Sequence, residues 1–252
     1  ADIKGNLKHP EITGALTATD AGGENWHCST LTAAGTWQTN AMPHEFSFST
    51  RARDLRYRGV RITELAVEAD TANENSTWTL KSRLDAGGQL SASGQMGPLT
   101  GAKKQITIHR VQVKHPQRPE VENTRPIRLT LAGNRHLAVE SLELISEKAR
   151  LSGSGRMDLA GRGAISGEMS VQNLDLSRFH KIFPAARPVQ GRLSADVFLK
   201  GTLDAPEIRM EAFWADAGVP GFEFSSVKLK AAYRNETLRW KGTAADQSHT
   251  VL

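Results

Sequence analysis

Apolar side chains recur at every second position in most stretches of this chain. The pattern is plain in Phe46-Ser47-Phe48-Ser49, between Ile106 and Val113, and in Val227-Lys228-Leu229-Lys230. Because successive side chains of a β-strand point to opposite faces of the sheet, each of these segments has one apolar and one polar face. Strands of a buried parallel sheet would be continuously apolar, so the alternation predicts antiparallel strands with one face in water.

Turn-forming residues separate these segments at intervals typical of strands. Ala21-Gly22-Gly23, Gly87-Gly88 and Gly133-Asn134 are examples, and glycine and asparagine tolerate the backbone conformations that tight turns require. One segment departs from the alternation, because the apolar residues between Ser177 and Pro184 have helical spacing. We therefore predict an all-β chain of hairpins with one short helix near 177–183.

The composition narrows the classes of function. The chain has 252 residues, of which 38% are hydrophobic, and a typical globular chain has about 45–50%. Its net charge of +5 comes from 32 basic and 27 acidic residues. The basic residues are spread along the chain, whereas nucleic-acid-binding proteins cluster them on one surface. We therefore expect no nucleic-acid partner.

No arrangement of reactive groups predicts catalysis or a metal site. Cys28 is the only cysteine, so neither an intrachain disulfide nor a cysteine-rich metal site can form. His109 and His115 have no third ligand near them in the sequence, and Ser154 lacks the spacing of a hydrolase nucleophile. Gly161-Arg162-Gly163 lacks the third glycine of a dinucleotide-binding motif. We expect no enzyme activity, no metal and no cofactor.

Internal repeats are a second feature of the sequence. Lys4–Ile12 and Lys200–Ile208 are identical at six of nine positions, at an offset of 196 residues. Leu65–Ala69 and Val227–Ala231 form a second pair at a different offset. Unequal offsets argue against a solenoid of short fixed period and favour a longer unit of several strands. We expect repeat units of this kind to meet near 190–200.

The segment Gly191–Leu203, followed by Pro206-Glu207-Ile208, has the pattern "G-x-L-s … l-x-G-T-L-x-x-P-x-(I/V)". This pattern resembles a recurring phrase of TamB-type proteins in the AsmA-like superfamily. Ala149–Gly155, Leu174–Ser177 and Leu55–Leu80 are also similar to family phrases. Each phrase alone is common, whereas their order together is more specific. The resemblance covers most of residues 1–230.

The resemblance implies a fold and a location. The fold would be a set of antiparallel strands curled into an open, β-taco-like groove, with residues 1–252 as a single elongated segment of a longer protein. The residues alone leave a closed β-sandwich or barrel as the alternative. The location would be the periplasm of a Gram-negative cell, with attachment to the inner membrane through an N-terminal anchor outside this sequence.

The resemblance also implies a function and partners. The expected role is phospholipid transport between the inner and outer membranes, together with support for outer-membrane protein assembly, as in the translocation and assembly module. The partners would be phospholipid acyl chains and a TamA-like outer-membrane protein of the Omp85 family, the latter bound through regions outside this segment. One alternative is a scaffold or chaperone that receives strands of outer-membrane proteins by β-augmentation. Another is an extracellular binding sandwich.

The alternation and the resemblance together predict which residues line a lipid groove. All are apolar residues of alternating segments. They are Phe46, Phe48, Leu65, Val67, Trp78, Leu80, Ile106, Ile108, Val111, Val113, Leu129, Leu131, Val139, Leu142, Leu144, Leu193, Val197, Leu199, Phe222, Phe224, Val227 and Leu229.

Overall fold

The chain consists of antiparallel strands in two compact units, residues 1–132 and 133–252. A computed structural model describes residues 2–6, 9–23, 25–38, 45–57, 60–72, 74–98, 101–133, 135–160, 163–178 and 189–245. Every described strand pair is antiparallel, which confirms the all-β prediction. The meeting of repeat units near 190–200 stays a prediction.

The strands of the first unit pair mostly in chain order. They are β1 (Asp2–Asn6), β2 (His9–Gly23), β3 (Trp26–Gln38), β4 (Glu45–Tyr57), β5 (Val60–Ala72), β6 (Asn75–Leu84), β7 (Gln89–Gly97), β8 (Lys103–His115), β9 (Arg118–Asn123) and β10 (Ile127–Ala132). Each strand from β1 to β8 pairs with the next. The other edge of β8 pairs with β10 over its first half and with β9 over its second half.

The second unit is a simple meander. Its strands are β11 (His136–Ser146), β12 (Ala149–Asp158), β13 (Ala164–Asp175), β14 (Gln190–Thr202), β15 (Pro206–Val219), β16 (Phe222–Arg234) and β17 (Thr237–Ala245). Each strand pairs with the next in the chain. Of the short helix predicted near 177–183, Leu176–Arg178 form a single 3-10 turn. The rest of that segment lies outside the described residues.

Few apolar side chains of the described residues are buried. The buried ones are Cys28, Ala52, Ile127, Ile165, Ala195 and Ala217, and no aromatic residue is among them. In a closed sandwich or barrel, large side chains from facing strands cover one another and become inaccessible to solvent. Here Phe48 remains 41% exposed. Each unit is therefore an open sheet, and the closed alternatives describe neither of them.

Three strand pairs share a local irregularity. Asp20, Asp54 and Asp216 adopt left-handed backbone conformations, with φ of 54°, 49° and 50°. This region is costly for most residues but is tolerated by aspartate. Each aspartate faces one residue of the neighbouring strand, and this residue carries a hydroxyl group. The residue pairs on either side of it are regular. These hydroxyl groups donate hydrogen bonds of 2.9–3.1 Å to the next strand: Ser29 to the carbonyl of Arg53, Thr63 to that of Arg83, and Ser225 to that of Ala245.

The irregularity keeps apolar side chains on one face. An extra residue in a strand reverses the inward and outward alternation beyond it. On β5, Leu65 pairs with Ser82 and Ile62 pairs with Leu84. Positions 82 and 84 of β6 share a face, so Ile62 and Leu65 also share it despite their odd separation. The apolar side of the sheet therefore continues through the irregularity.

The internal repeats of the sequence form equivalent hairpins. At the offset of 196, Gly5 pairs with Pro10 just as Gly201 pairs with Pro206. The left-handed aspartates of β2 and β15 are related by this same offset. The sequence similarity therefore extends to the strand register and to the backbone irregularity.

A second structural repeat relates the two units at an offset of 162. Ala69 pairs with Trp78 on β5 and β6, and Ala231 pairs with Trp240 on β16 and β17. The left-handed aspartates of β4 and β15 follow the same offset. Strands β15 to β17 therefore repeat the arrangement of β4 to β6.

The left-handed conformation of Asp54 yields a testable prediction. We expect Asp54→Val to lower the free energy of unfolding by about 1–2 kcal/mol more than Asp54→Asn does, because a β-branched side chain is strained at positive φ. Both variants lose the carboxylate that accepts hydrogen bonds from Nη2 and Nε of Arg61 at 2.6 and 3.0 Å. Urea unfolding curves measure the difference. Equal midpoints for the two variants would show that the backbone conformation carries no such cost.

Candidate functional site

The strand registers bring the predicted lining residues of the first unit onto one face of its sheet. Residues directly opposite each other on paired strands point to the same face. One continuous row of such partners runs from β2 to β10 and contains only apolar residues and glycine. Its members are Gly14, Gly35, Phe48, Ala69, Trp78, Gly94, Ile108 and Ile127.

The other predicted lining residues of this unit share that face. Val67 pairs with Leu80, for example, and Ile106 pairs with Leu129. A shift of register on β8 allows both Ile108 and Val111 to reach it. We define the first apolar face by Phe46, Phe48, Leu65, Val67, Trp78, Leu80, Ile106, Ile108, Val111, Val113, Leu129 and Leu131.

The second unit has an equivalent face. A row of apolar partners crosses it from β11 to β16, and consists of Leu144, Leu151, Val171, Ala195, Ala212 and Leu229. We define the second apolar face by the lining residues that the sequence predicts in this unit. They are Val139, Leu142, Leu144, Leu193, Val197, Leu199, Phe222, Phe224, Val227 and Leu229.

Phe222 and Phe224 reach the second apolar face through the irregularity at Ser225. Strict alternation would put their side chains on the opposite face of the sheet from Val227. They pair with Val219 and Ala217, beyond the extra residue of β15, and so return to the apolar side. Their rings are stacked with centroids 6.5 Å apart, and Phe222 is 64% exposed.

The opposite face of each sheet is polar. In the first unit, the row next to the apolar one consists of Thr13, Thr36, Ser47, Asp70, Thr77, Gln95, Thr107 and Arg128. In the second unit, the corresponding row consists of Glu143, Ser152, Ser170, Asp196, Glu211, Lys230 and Lys241. The described ion pairs between strands lie on these polar faces. One cation, Lys104, is the direct partner of Leu131 and lies at the border of the first apolar face.

Glu207 illustrates the electrostatics of the polar face. Its carboxylate lies 3.2 Å from Nζ of Lys200 and 2.9 Å from Nε of Arg234, on the strands at either side. A hydrogen bond from Lys200 and the nearby positive charges hold the pKa of Glu207 below its usual value. Stability gained from this lowered pKa is present at neutral pH and is lost as the pH falls through the pKa of the folded state.

A shallow depression of about 540 Å³ lies on β2, β3 and β4. Gly14 and Gly35, which pair with each other, contribute to its lining together with Trp37, Phe46 and Phe48. Nothing lies within 4 Å of the position that a Cβ atom of Gly14 would take. The depression is largely apolar and open to solvent, so it would contact an apolar group on one side only.

The ring of Trp78 packs against Gly94, its direct partner on β7. A Cβ atom at Gly94 would lie 2.7 Å from Cζ2 of Trp78 and 2.4 Å from the carbonyl oxygen of Thr107. Only glycine leaves room for both groups. Alternation of apolar residues does not reveal this position, because glycine carries no hydrophobic signal. The one signal in the sequence was that Gly94 occupies the same alternating positions as the apolar residues Leu90 and Ala92 of β7.

Among the described residues, the other reactive groups named by the sequence do not form a cluster. The described residues contain no group of three or more His, Cys, Asp and Glu that could hold a metal ion. Ser154 contacts a carboxylate oxygen of Glu168 at 3.4 Å. The buried Cys28 thiol donates to the carbonyl oxygens of Thr30 and Arg53. Within the described part of the chain, no helix has the length and apolar character needed to cross a membrane.

Comparisons with known proteins found no relative. The chain matches no protein family, no curated protein and no solved structure. Resemblance to TamB-type proteins therefore depends on the sequence phrases between Leu55 and Ile208.

The contact between Trp78 and Gly94 can be tested by adding one methyl group. We expect Gly94→Ala to lower the free energy of unfolding by about 1–3 kcal/mol, because the new Cβ atom overlaps the indole ring and a backbone carbonyl. Near-ultraviolet circular dichroism should report the displaced ring. Ser93→Ala, at the adjacent position on the other face, is the matched control. If both variants are equally stable, Trp78 does not depend on this glycine.

Proposed function

We propose that the chain is a periplasmic segment of a TamB-like envelope protein and holds phospholipid acyl chains against its apolar faces during transfer between the inner and outer membranes. The observation that carries this proposal is the separation of the two kinds of surface. In each unit, apolar side chains on one face are only partly covered, while the ion pairs occupy the other face.

Uncovered apolar faces need a partner with no charge. Large exposed apolar patches on soluble proteins mark binding surfaces. Each methylene group that is fully removed from water gains about 0.8 kcal/mol, and a tail that contacts an open sheet on one side gains part of that amount per methylene. An acyl chain can therefore bind through its tail alone, and lipids with different headgroups would be accepted.

Continuity of the apolar rows favours movement of the lipid as well as binding. In the first unit, the row that contains Phe48 and Trp78 crosses from β2 to β10 without a charged residue. Neighbouring positions along such a row offer a tail similar contacts, so a step along it exchanges one apolar contact for another. No catalytic group is needed. We propose that a TamA-like outer-membrane protein binds elsewhere on the full-length protein.

Photo-crosslinking at two neighbouring positions of β6 tests the proposal. A photoreactive phenylalanine analogue replaces Leu80 on the first apolar face in one variant and Thr79 on the polar face in the other. In the presence of phospholipid, we expect crosslinks at position 80 to exceed those at 79 by about tenfold, since only position 80 faces the bound tail.

A matched pair in the second unit extends the test. Leu229 lies on the second apolar face, and Lys228 next to it lies on the polar face. Equal crosslinking at positions 79 and 80, and at 228 and 229, would contradict lipid binding on the apolar faces. Circular dichroism spectra of the four variants confirm that each has folded.

A further inference from the structure

A second depression, of about 490 Å³, lies on strands β13 to β16 of the second unit. Each of these strands lines it with two residues that are two positions apart, together with the residue between them. On β15 the three residues are Glu211, Ala212 and Phe213. Ala212 belongs to the apolar row, so the side chains of its two neighbours point to the opposite face. The depression therefore lies on the polar face, away from the surface that we propose for lipid.

The four strands belong to the interior of the sheet. Strand β13 also pairs with β12, and β16 also pairs with β17. Two rows of direct partners cross the depression from β14 to β16. One row consists of Asp196, Glu211 and Lys230, and the other consists of Ser194, Phe213 and Lys228. We define the polar depression by these six residues.

Two carboxylates face each other in the polar depression. Asp196 and Glu211 are direct partners on β14 and β15, and like charges in such positions destabilise a strand pair. Nζ of Lys230 lies 2.8 Å from Oε1 of Glu211 and offsets the charge of that carboxylate. Among the described residues, no ion pair includes Asp196, which is exposed. Its two carboxylate oxygens can accept hydrogen bonds from a ligand.

Phe213 places an aromatic ring beside these charged groups. Its direct partners are Ser194 and Lys228, and the ring is 42% exposed although it lies on the polar face. The face of an aromatic ring carries a partial negative charge, which attracts the weakly positive hydrogen atoms of C–H groups. The ammonium group of Lys228 can donate three hydrogen bonds. The depression thus offers an apolar platform with a donor and an acceptor next to it.

The balance of charges favours an uncharged ligand. The polar depression holds two carboxylates and two ammonium groups, so its formal charges cancel. An anion would meet Asp196 and a cation would meet Lys228, so each would be repelled by a group of its own sign. A sugar has uncharged hydroxyl groups that both donate and accept hydrogen bonds, and its ring presents C–H groups on its faces. It matches both kinds of group in the depression.

We propose that the polar depression binds a neutral pyranose sugar. The C–H face of the sugar packs on the ring of Phe213. Sugar hydroxyl groups donate hydrogen bonds to the carboxylate of Asp196 and accept them from Nζ of Lys228. Because this site lies on the polar face, the inference does not depend on lipid binding by the apolar faces.

Nuclear magnetic resonance of the whole chain tests this site with defined probes. The probes are the methyl β-glycosides of glucose, galactose and N-acetylglucosamine. Sorbitol is the matched control ligand, because it carries similar hydroxyl groups but has no ring. We expect at least one glycoside to shift the amide signals of Ser194–Asp196 and Glu211–Phe213, and sorbitol to leave them unchanged. Saturation transfer should be strongest to the C–H protons on one face of the sugar ring.

Two phenylalanines of the same face provide a matched pair of variants. Phe198 is also on the polar face and is 50% exposed, but it lies outside the polar depression. We expect Phe213→Ala to weaken binding of the glycoside about tenfold, a difference of roughly 1.4 kcal/mol. Phe198→Ala should leave the affinity unchanged. Equal losses in the two variants would overturn the proposal.

Asp196→Asn separates binding from stability. The variant loses the charged acceptor, and hydrogen bonds to charged groups are stronger than those to neutral ones, so glycoside affinity should fall. The repulsion between Asp196 and Glu211 is lost at the same time, so the urea midpoint of unfolding should not fall. A lower midpoint with unchanged affinity would show that Asp196 serves the fold alone, and would overturn its assigned role. The proposal also fails if no glycoside shifts these signals, if sorbitol shifts them equally, or if inorganic phosphate competes with the sugar, which would indicate an anion site.

Discussion

The fold depends on cross-strand register, because each sheet is a single layer with two chemically different faces. A slip of one residue between two strands would carry every side chain of the slipped strand to the other face. Around β6, such a slip would bring Lys81 into line with Val67, where Leu80 now lies. Matching of apolar partners from strand to strand therefore determines the structure more than burial in a core does, since no aromatic side chain of the described residues is buried.

Left-handed aspartates mark the places where this register is locally irregular. Asp54 and Asp216 each face a hydroxyl residue of the next strand, Thr63 and Ser225, and apolar side chains return to the same face beyond the irregularity. Bulges of this kind also bend and twist a sheet locally. Ion pairs on the polar faces add modest stability, because exposed pairs contribute only about 0–1 kcal/mol each. Their larger effect is to disfavour registers in which like charges meet.

Much of this arrangement could be predicted from the sequence, because period-two alternation directly reports which side chains share a face. The assignments of Val67, Leu80 and Ile108 to one surface of a sheet follow from that alternation alone. Phe222 and Phe224 were predicted beside Val227, although strict alternation would put them on the other face. The extra residue of β15 that brings them to the apolar side leaves no trace in the hydrophobic pattern. Gly94 was missed for a related reason. Its importance lies in the space it leaves for Trp78, which composition and periodicity do not record.

The apolar faces give both units the same kind of surface. Within each unit this surface is continuous from strand to strand, which suits ligands without directional groups. Among the described residues, the large apolar side chains of these faces stay partly exposed. Native mass spectrometry of the chain purified without detergent tests directly whether the apolar faces require a bound partner. We expect phospholipid to remain bound to the chain, and its removal to cause self-association. A lipid-free chain that stays monomeric would contradict the conclusion that the apolar faces require a partner.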